Sequence, residues 1–312
     1  MIIDCVTPNA AVDRSLVVSG FHHGGVFRPQ RSLIAAGGKG LNVARAAETL
    51  GGKTRCYGFI AGYSGNLLLD LAQAEGLECH FTRLSAGETR NCMILVDPNI
   101  GLTSVINDVG APTSAEDWAR LRTDLINRPD PGLICICGSL PPGSPVEAYA
   151  AMLRELVAAG QSVWVDTSGA ALKAAVEIPG VHLKINDEEA AELTGTAINS
   201  AEDAERTAQA MAAASGAAVV ITLGKDGAVM ASGDQCWRAI APPITVASPV
   251  GSGDSFLGAL LVALADHRPV DQALRAAAAA GTANARSVGA GHFTRADFLE
   301  IERETRIVSS QH

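Results

Sequence analysis

Two glycine-rich segments carry residue types that could handle an anion and a proton. One is Ser248-Pro249-Val250-Gly251-Ser252-Gly253-Asp254, which runs into the apolar stretch Ser255-Phe256-Leu257-Gly258-Ala259. At a helix start Gly251, Ser252 and Gly253 would offer backbone N–H groups, at the positive end of the helix dipole, to developing negative charge. A carboxylate beside such an anion hole, Asp254, suits a general base that deprotonates a hydroxyl as it attacks phosphorus. The plain alternative is an acidic residue favoured in a first helical turn, worth about 0.3–1 kcal/mol. A plain helix start, however, does not need Gly-Ser-Gly beneath the carboxylate. The other segment, Gly37-Gly38-Lys39-Gly40, is followed directly by Asn42 and Arg45. Its glycines let backbone approach a ligand and Lys39 adds a mobile positive charge, but a flexible strand-to-helix turn accounts for the same string equally well.

Two other phosphate signatures fail. Gly52-Lys53-Thr54 resembles the end of a P-loop, but Ala47 stands where the leading glycine is required and a helix precedes it instead of a strand. The first strand leads to Thr7-Pro8-Asn9, without the GxGxxG of a dinucleotide fold.

The elements that must position these residues follow from hydrophobic period. After an opening strand, two alternating segments around the Gly20–Gly25 stretch read as a half-exposed hairpin, and a second hairpin surrounds Asn99-Ile100-Gly101. From Lys39 to the Gly51-Gly52 stop the period is helical. Beyond about residue 112 short apolar strands such as GLICIC, SVWVD, VHLKI and AAVVITL alternate with helices, which implies a parallel sheet covered on both faces. A late hairpin and two Ala-rich helices, from Ser255 and from Val270, follow. No Pro, Gly or Ser linker divides the chain, so one α/β domain over 1–312 is expected. The early hairpins, at about 12–35 and 88–109, then form a small β-sheet lid beside the strand ends.

Composition limits the partners. Of 312 residues, 24 are Lys or Arg and 33 Asp or Glu, a net charge of −9, and only 4% are aromatic. Duplex nucleic acid, anionic membrane surfaces and single-stranded nucleic acid are poor fits, whereas a small anion in a locally positive pocket is not. No apolar run approaches the ~20 residues of a membrane span, and a cytoplasmic protein is expected. The seven cysteines contain no CxxC pair and read as buried thiols, with Cys135 and Cys137 on one strand face.

Further motifs fall in order along the chain: Pro8-Asn9-Ala10-Ala11-Val12-Asp13, Thr89-Arg90, Gly138-Ser139-Leu140-Pro141-Pro142-Gly143, Asp166-Thr167-Ser168-Gly169, Lys184-Ile185-Asn186-Asp187-Glu188-Glu189 and Thr222-Leu223-Gly224-Lys225-Asp226-Gly227. With the two glycine segments, they resemble the ribokinase-like sugar kinases, also called the PfkB family, over essentially the whole chain. Arg90, the SLPPG string and the DTSG string are most similar to the members that phosphorylate sugar phosphates, 1-phosphofructokinase and tagatose-6-phosphate kinase among them.

The resemblance implies a ribokinase-like α/β fold and an ATP- and Mg²⁺-dependent kinase acting on a hexose phosphate, with fructose 1-phosphate the first guess. Asp254 would be the base and Gly251, Ser252 and Gly253 the anion hole. Asp13 and Asn42 would bind sugar hydroxyls with Gly38 close by, while Lys39, Arg90 and Ser139 would hold the sugar's phosphate. Lys184 would touch the ATP phosphates, and Thr222, Gly224 and Gly227 would shape the nucleotide pocket. Asn186 and Glu189, with Asp166 near, would hold magnesium through water, although an N-cap with its first-turn acid is an equally common source of that pair. Ile185 replaces a usual proline, Ser248-Pro249 a usual Asn-Thr, and Ser252 a usual alanine. A kinase for an unphosphorylated sugar or nucleoside, and a sensor that has lost chemistry, are the rival expectations. His22 and His23 read as solvated loop. By analogy the lid hairpins, short of a partner sheet, would pair with a second copy in a homodimer.

Overall fold

Short β-branched strands with little polar alternation need cover on both faces, and the computed structural model, which describes residues 1–310, provides it. The chain opens with β1 (Ile2–Thr7), then the antiparallel pair β2 (Ala11–Val17) and β3 (Arg31–Gly37), then α1 (Lys39–Thr49). β4 (Lys53–Ile60), α2 (Gly62–Ala74) and β5 (Cys79–Arg83) follow, and a second antiparallel pair, β6 (Arg90–Asp97) and β7 (Leu102–Asn107), leads to α3 (Ala115–Ile126).

Strand and helix then alternate: β8 (Leu133–Cys137), α4 (Val146–Ala158), β9 (Ser162–Asp166), α5 (Gly169–Val176), β10 (Val181–Asn186), α6 (Asp187–Thr194), α7 (Ala201–Ser215) and β11 (Val219–Thr222). The antiparallel β12 (Ala228–Ser232) and β13 (Gln235–Ile240) precede α8 (Ser252–Ala265), α9 (Val270–Ala285), α10 (Arg295–Glu304) and β14 (Arg306–Ser310).

The main sheet has ten strands in the order β14-β13-β12-β11-β10-β9-β8-β1-β4-β5. From β11 to β5 every pairing is parallel, and β12 to β14 close one side antiparallel. This is the expected ribokinase-like sheet. The segment 53–83, which hydrophobic period alone did not resolve, extends it by β4, α2 and β5, and β14 adds its far edge.

Two cores result. Leu41, Val43, Phe256, Leu257 and Leu260 pack on one face, and Trp118, Tyr149, Leu153 and Leu172 on the other. Small residues let α8 lie close to α1: a Cβ at Gly258 would stand 2.7 Å from the Val43 carbonyl oxygen. Six of the seven cysteines are buried and Cys79 is half-buried, in line with the structural reading.

The two hairpins form a separate sheet, β3-β2-β6-β7, in which β2 and β6 run parallel. They are therefore partners of each other, which removes the premise that they lack a sheet within the chain. The parallel strands of the main sheet all point their carboxyl ends to one edge, where open α/β sheets bind ligands. Strand order spaces the motifs along that edge: Thr222 ends β11, Asn186 ends β10, Asp166 ends β9, Gly138-Ser139 follows β8, and Asn9 follows β1 beside the lid. Among the described residues no helix is long and apolar enough to cross a membrane.

Candidate active site

The anion-hole segment is built as its composition demands. Gly251 caps α8 with φ of 83° and no side chain caps the helix; the Ser252 N–H donates to the Pro249 carbonyl at 3.2 Å, while the amides of Gly251 and Gly253 keep their donor capacity. A Cβ on Gly251 would fall 2.5 Å from the Ala290 Cα, and one on Gly253 2.8 Å from the Lys184 Nζ. Gly251 is thus demanded by the backbone beside it, and at Gly253 Lys184 lies directly against the turn. Asn284, fully buried, holds this loop from behind: its Nδ2 donates to the Val250 carbonyl at 2.8 Å, and its Oδ1 accepts from Gly291 N at 2.9 Å. Nothing in the string TANAR marks Asn284 as more than a polar residue in an Ala-rich helix, because its partners are distant in sequence.

Asp254 is buried in the first turn of α8, and its Oδ2 accepts a 2.8 Å hydrogen bond from Asn42 Nδ2. Burial pushes its carboxyl above the ordinary range, with the Lys39 ammonium opposing. A carboxylate with raised proton affinity in a dry site is what a general base for a hydroxyl requires.

Beside it, Asp166 is clasped by two lysines, Lys39 at 2.6 Å on Oδ1 and Lys184 at 2.6 Å on Oδ2. Burial would raise Asp166, but the two ammoniums outweigh it and hold the carboxyl well below the usual range. The same carboxylate keeps Lys39 firmly protonated. Each Asp166 oxygen therefore meets a lysine in this structure.

Asn186 and Glu189 form a reciprocal capping box at the start of α6: Glu189 N donates to Asn186 Oδ1 at 2.7 Å, and Asn186 N donates to Glu189 Oε2 at 2.9 Å. One Glu189 oxygen is spent on the cap. Among the described residues no group of three or more His, Cys, Asp or Glu side chains could hold a metal ion. The donors present fit a hard cation held chiefly by water and phosphate oxygens, not an all-protein cage.

On the nucleotide side Thr222 stands in register with Asn186 and donates to the Ile185 carbonyl at 3.3 Å. Gly224 opens a short 3₁₀ turn. Gly227 has a packing reason for being glycine, since a Cβ there would lie 2.0 Å from the Ala239 oxygen.

On the lid side Asp13 of β2 sits against the root of β3, where a Cβ on Gly37 would fall 2.1 Å from its carboxyl carbon. Gly37, not only Gly38, is therefore fixed by the site. Burial raises Asp13 to about 6, with Arg90 and Arg45 opposing. Arg90 Nε donates to the Asn9 carbonyl at 3.0 Å, and Asn9 Nδ2 donates to Ser139 Oγ at 3.4 Å, which ties Arg90, Ser139 and the end of β1 together. His22 and His23 lie in the exposed loop between β2 and β3, as expected.

The Asp13 shift makes a prediction that needs no ligand. With a folded pKa above the unfolded value, the folded state holds the extra proton between pH 4 and 6, so the group costs stability above about pH 6 and costs nothing below about pH 4. Asp13→Asn should raise stability at pH 7 by on the order of 1–3 kcal/mol, a gain that shrinks on acidification. Chemical denaturation of both proteins at pH 7 and pH 4.5 checks it, and an equal difference at the two values would refute it.

The comparisons with known proteins bear on this geometry. The sequence pattern of the pfkB family carbohydrate kinases matches residues 5–296. The chain belongs to the pfkB family of carbohydrate kinases. It is similar to a 1-phosphofructokinase of Rhodobacter capsulatus, 32% identical over 83% of this chain and 82% of that one. A 1-phosphofructokinase of Bacillus subtilis is 28% identical over 91% of this chain and 92% of its own. Among solved structures, phosphofructokinase-2 from Escherichia coli in complex with substrates and products superposes with a TM-score of 0.91, at 26% identity over 97% of this chain and 98% of that one.

As a pfkB-family carbohydrate kinase, the chain is an ATP-dependent sugar kinase. The fold resemblance read from the motifs therefore holds. Phosphoryl transfer in such a kinase asks for positioning and charge stabilisation more than covalent chemistry. The structure brings together Asp254 with Asn42, and Lys39 with Asp166 and Lys184, at the α8 turn. Thr222, Gly224 and Gly227 stay apart from that cluster, further along the sheet edge. Arg45, Gly37 and Asn9, which fall within the motifs but were given no role there, and Asn284, which no motif contains, complete the site.

Proposed function

We propose that this kinase transfers the γ-phosphoryl group of ATP to a hydroxyl of a hexose phosphate, with fructose 1-phosphate the first acceptor to test and tagatose 6-phosphate and fructose 6-phosphate next. The observation that carries the reading is the buried Asp254 carboxylate, raised in proton affinity, at an uncapped helix start and beside the Lys39, Asp166 and Lys184 cluster. Asp254 takes the acceptor's proton, while the amides of Gly251 and Gly253, and that of Ser252 once it turns from the Pro249 carbonyl, receive the charge gathering on the transferred group.

Lys184, lying against Gly253, serves the phosphates of ATP, and Thr222, Gly224 and Gly227 border the nucleotide. Asp13 and Asn42 accept and donate to sugar hydroxyls, with Gly38 allowing close approach. Lys39, Arg90 and Ser139 hold the acceptor's own phosphate. A magnesium ion, when bound, would neutralise the phosphate oxygens of ATP, with Asn186 and Glu189 holding its water shell and Asp166 setting the local charge.

The single domain closes on its acceptor through the lid segments, about 12–35 and 88–109. A homodimer through this lid is supported by its exposed apolar side chains, among them Leu102 at 62% and Ile106 at 60% exposure, though the hairpins already pair within the chain. A cytoplasmic location accords with these substrates.

Arg90 separates sugar phosphates from neutral sugars, because a guanidinium placed for a phosphate contributes nothing to a neutral acceptor. Arg90→Ala should raise the KM for the acceptor by about 10- to 100-fold while the KM for ATP stays within about threefold. A coupled kinase assay over phosphorylated and free sugars measures both. Unchanged acceptor KM, together with turnover of a free sugar, would overturn the sugar-phosphate reading.

A further inference from the structure

We infer that Arg45 is a positioning residue for the reaction, acting through Asn42 to orient Asp254 and to join the lid root to the loop behind the anion hole. The inference rests on the reading of Asp254 as the base and goes beyond it. Arg45 is 7% exposed, and its guanidinium spends its donors on four separate parts of the chain. Nη1 donates to Asn42 Oδ1 at 2.9 Å and to the Ala290 carbonyl at 3.0 Å, Nη2 donates to the Ala36 carbonyl at 2.6 Å, and Nε pairs with Glu75 at 2.6 Å.

The chemistry of the bond to Asn42 makes it directional. A guanidinium has only donors, so the face of the Asn42 amide that meets Arg45 must be the oxygen. The NH₂ face is thereby turned to Asp254, where it donates to Oδ2. With Asn42 locked that way, its NH₂ steadies one oxygen of Asp254 and favours the carboxylate against the burial that raises its proton affinity, and Oδ1 takes no hydrogen bond from the described protein. Without Arg45 the amide is free to turn over and present its oxygen to a carboxylate, which repels it.

The other bonds extend the effect. Ala36 lies on β3 next to Gly37, which abuts the Asp13 carboxyl, and Ala290 is the residue against which Gly251 is packed. One buried cation thus fixes the acceptor side, the base and the backing of the anion hole to one another, with Glu75 at the end of α2 supplying its counter-charge.

The test is a double-mutant cycle between Arg45 and Asn42. Arg45→Met should lower kcat by about 10- to 100-fold and raise the acceptor KM, with the ATP KM within about twofold, since a small misplacement of the base costs rate directly. If Arg45 works chiefly through Asn42, Arg45→Met in an Asn42→Ala background should cost several-fold less than it costs in the native protein, the remainder coming from the bonds to Ala36 and Ala290. Multiplicative losses in the double variant would overturn the inference, as would Arg45→Met retaining at least half of kcat.

Arg45→Met could fail to fold, so Arg45→Lys is the second variant. Lysine keeps the charge and the stem but cannot serve three carbonyl oxygens and a carboxylate in one plane. A positioning role predicts that Arg45→Lys keeps most of the melting temperature and still loses at least about 10-fold in kcat, whereas a merely structural role predicts that both recover together. Asp254→Asn run alongside separates the two readings. If that variant keeps its turnover, the base assignment fails; if it is inactive and the cycle is multiplicative, only the role of Arg45 fails.

Discussion

Asp254→Asn should lower kcat by about 10²- to 10³-fold, because an amide cannot accept the proton of the attacking hydroxyl. The exchange is isosteric, and an amide oxygen at this position can still accept from Asn42 Nδ2, so the α8 turn keeps its shape. The nucleotide side, built from β10 and β11, is untouched, and the KM for ATP should stay within about threefold. Stability should hold or rise at neutral pH, since burial makes the native carboxylate costly to ionise.

Loss of rate without loss of stability is the signature that separates a base from a structural acid. The pH dependence adds a second readout. The ascending limb of kcat/KM should lie above the ordinary carboxylate range in the native protein, where burial raises Asp254, and should vanish from the residual rate of the variant. Turnover within about fivefold of the native protein would remove Asp254 from the mechanism.

How far the sequence disclosed this site depended on whether a residue's reason for being there is local. Gly251 and Gly253 stand out because backbone at a helix start is a local matter, and the alternation of apolar strands and helices after residue 112 is a local period. Gly227 is equally local as a turn, yet its decisive neighbour is the Ala239 oxygen on the next strand pair, which packing alone reveals. Asn186 and Glu189 illustrate the opposite limit. Their spacing suits a capping box and a hydrated cation alike, and the capping box is the geometry found.

The roles of Arg45 and Asn284 were illegible for a physical reason: a buried polar side chain inside a helix is informative only once its partners are known. The partners of Arg45 lie on β3, at the end of α2 and in the loop at Ala290. Likewise the pairing of β2 with β6 joins two hairpins that look unpartnered when each is read alone. That pairing makes the lid one four-stranded sheet and not two separate flaps.

The second large effect is expected at Asp166, the residue that holds two lysines at the α8 turn. Its carboxylate is 1% exposed and each oxygen meets a lysine at 2.6 Å, so the two ammoniums face one another across it. Removing the negative charge leaves Lys184, itself 5% exposed, without its counter-ion, and places two positive groups together. Breaking a buried pair in this way costs about 3–5 kcal/mol. Asp166→Asn should therefore melt roughly 6–10 °C lower at pH 7.

The sign with pH is fixed by the direction of the shift. A carboxyl held below its unfolded value contributes stability above about pH 4 and loses it only in strong acid, so the deficit of the variant should be constant from pH 5 to 8. The ligand dependence is the sharper consequence. In the native chain Asp166 already pairs with both lysines, and an arriving phosphate must compete with it; in Asp166→Asn the phosphates supply the missing counter-charge.

ATP should accordingly raise the melting temperature of Asp166→Asn by more than it raises that of the native protein, even as kcat falls because Lys39 and Lys184 are no longer held in register with Asp254. Differential scanning fluorimetry with and without ATP measures both quantities. A melting temperature within about 2 °C of native and an equal ATP shift would show that the clasp is dispensable and that Lys184 finds its counter-charge elsewhere.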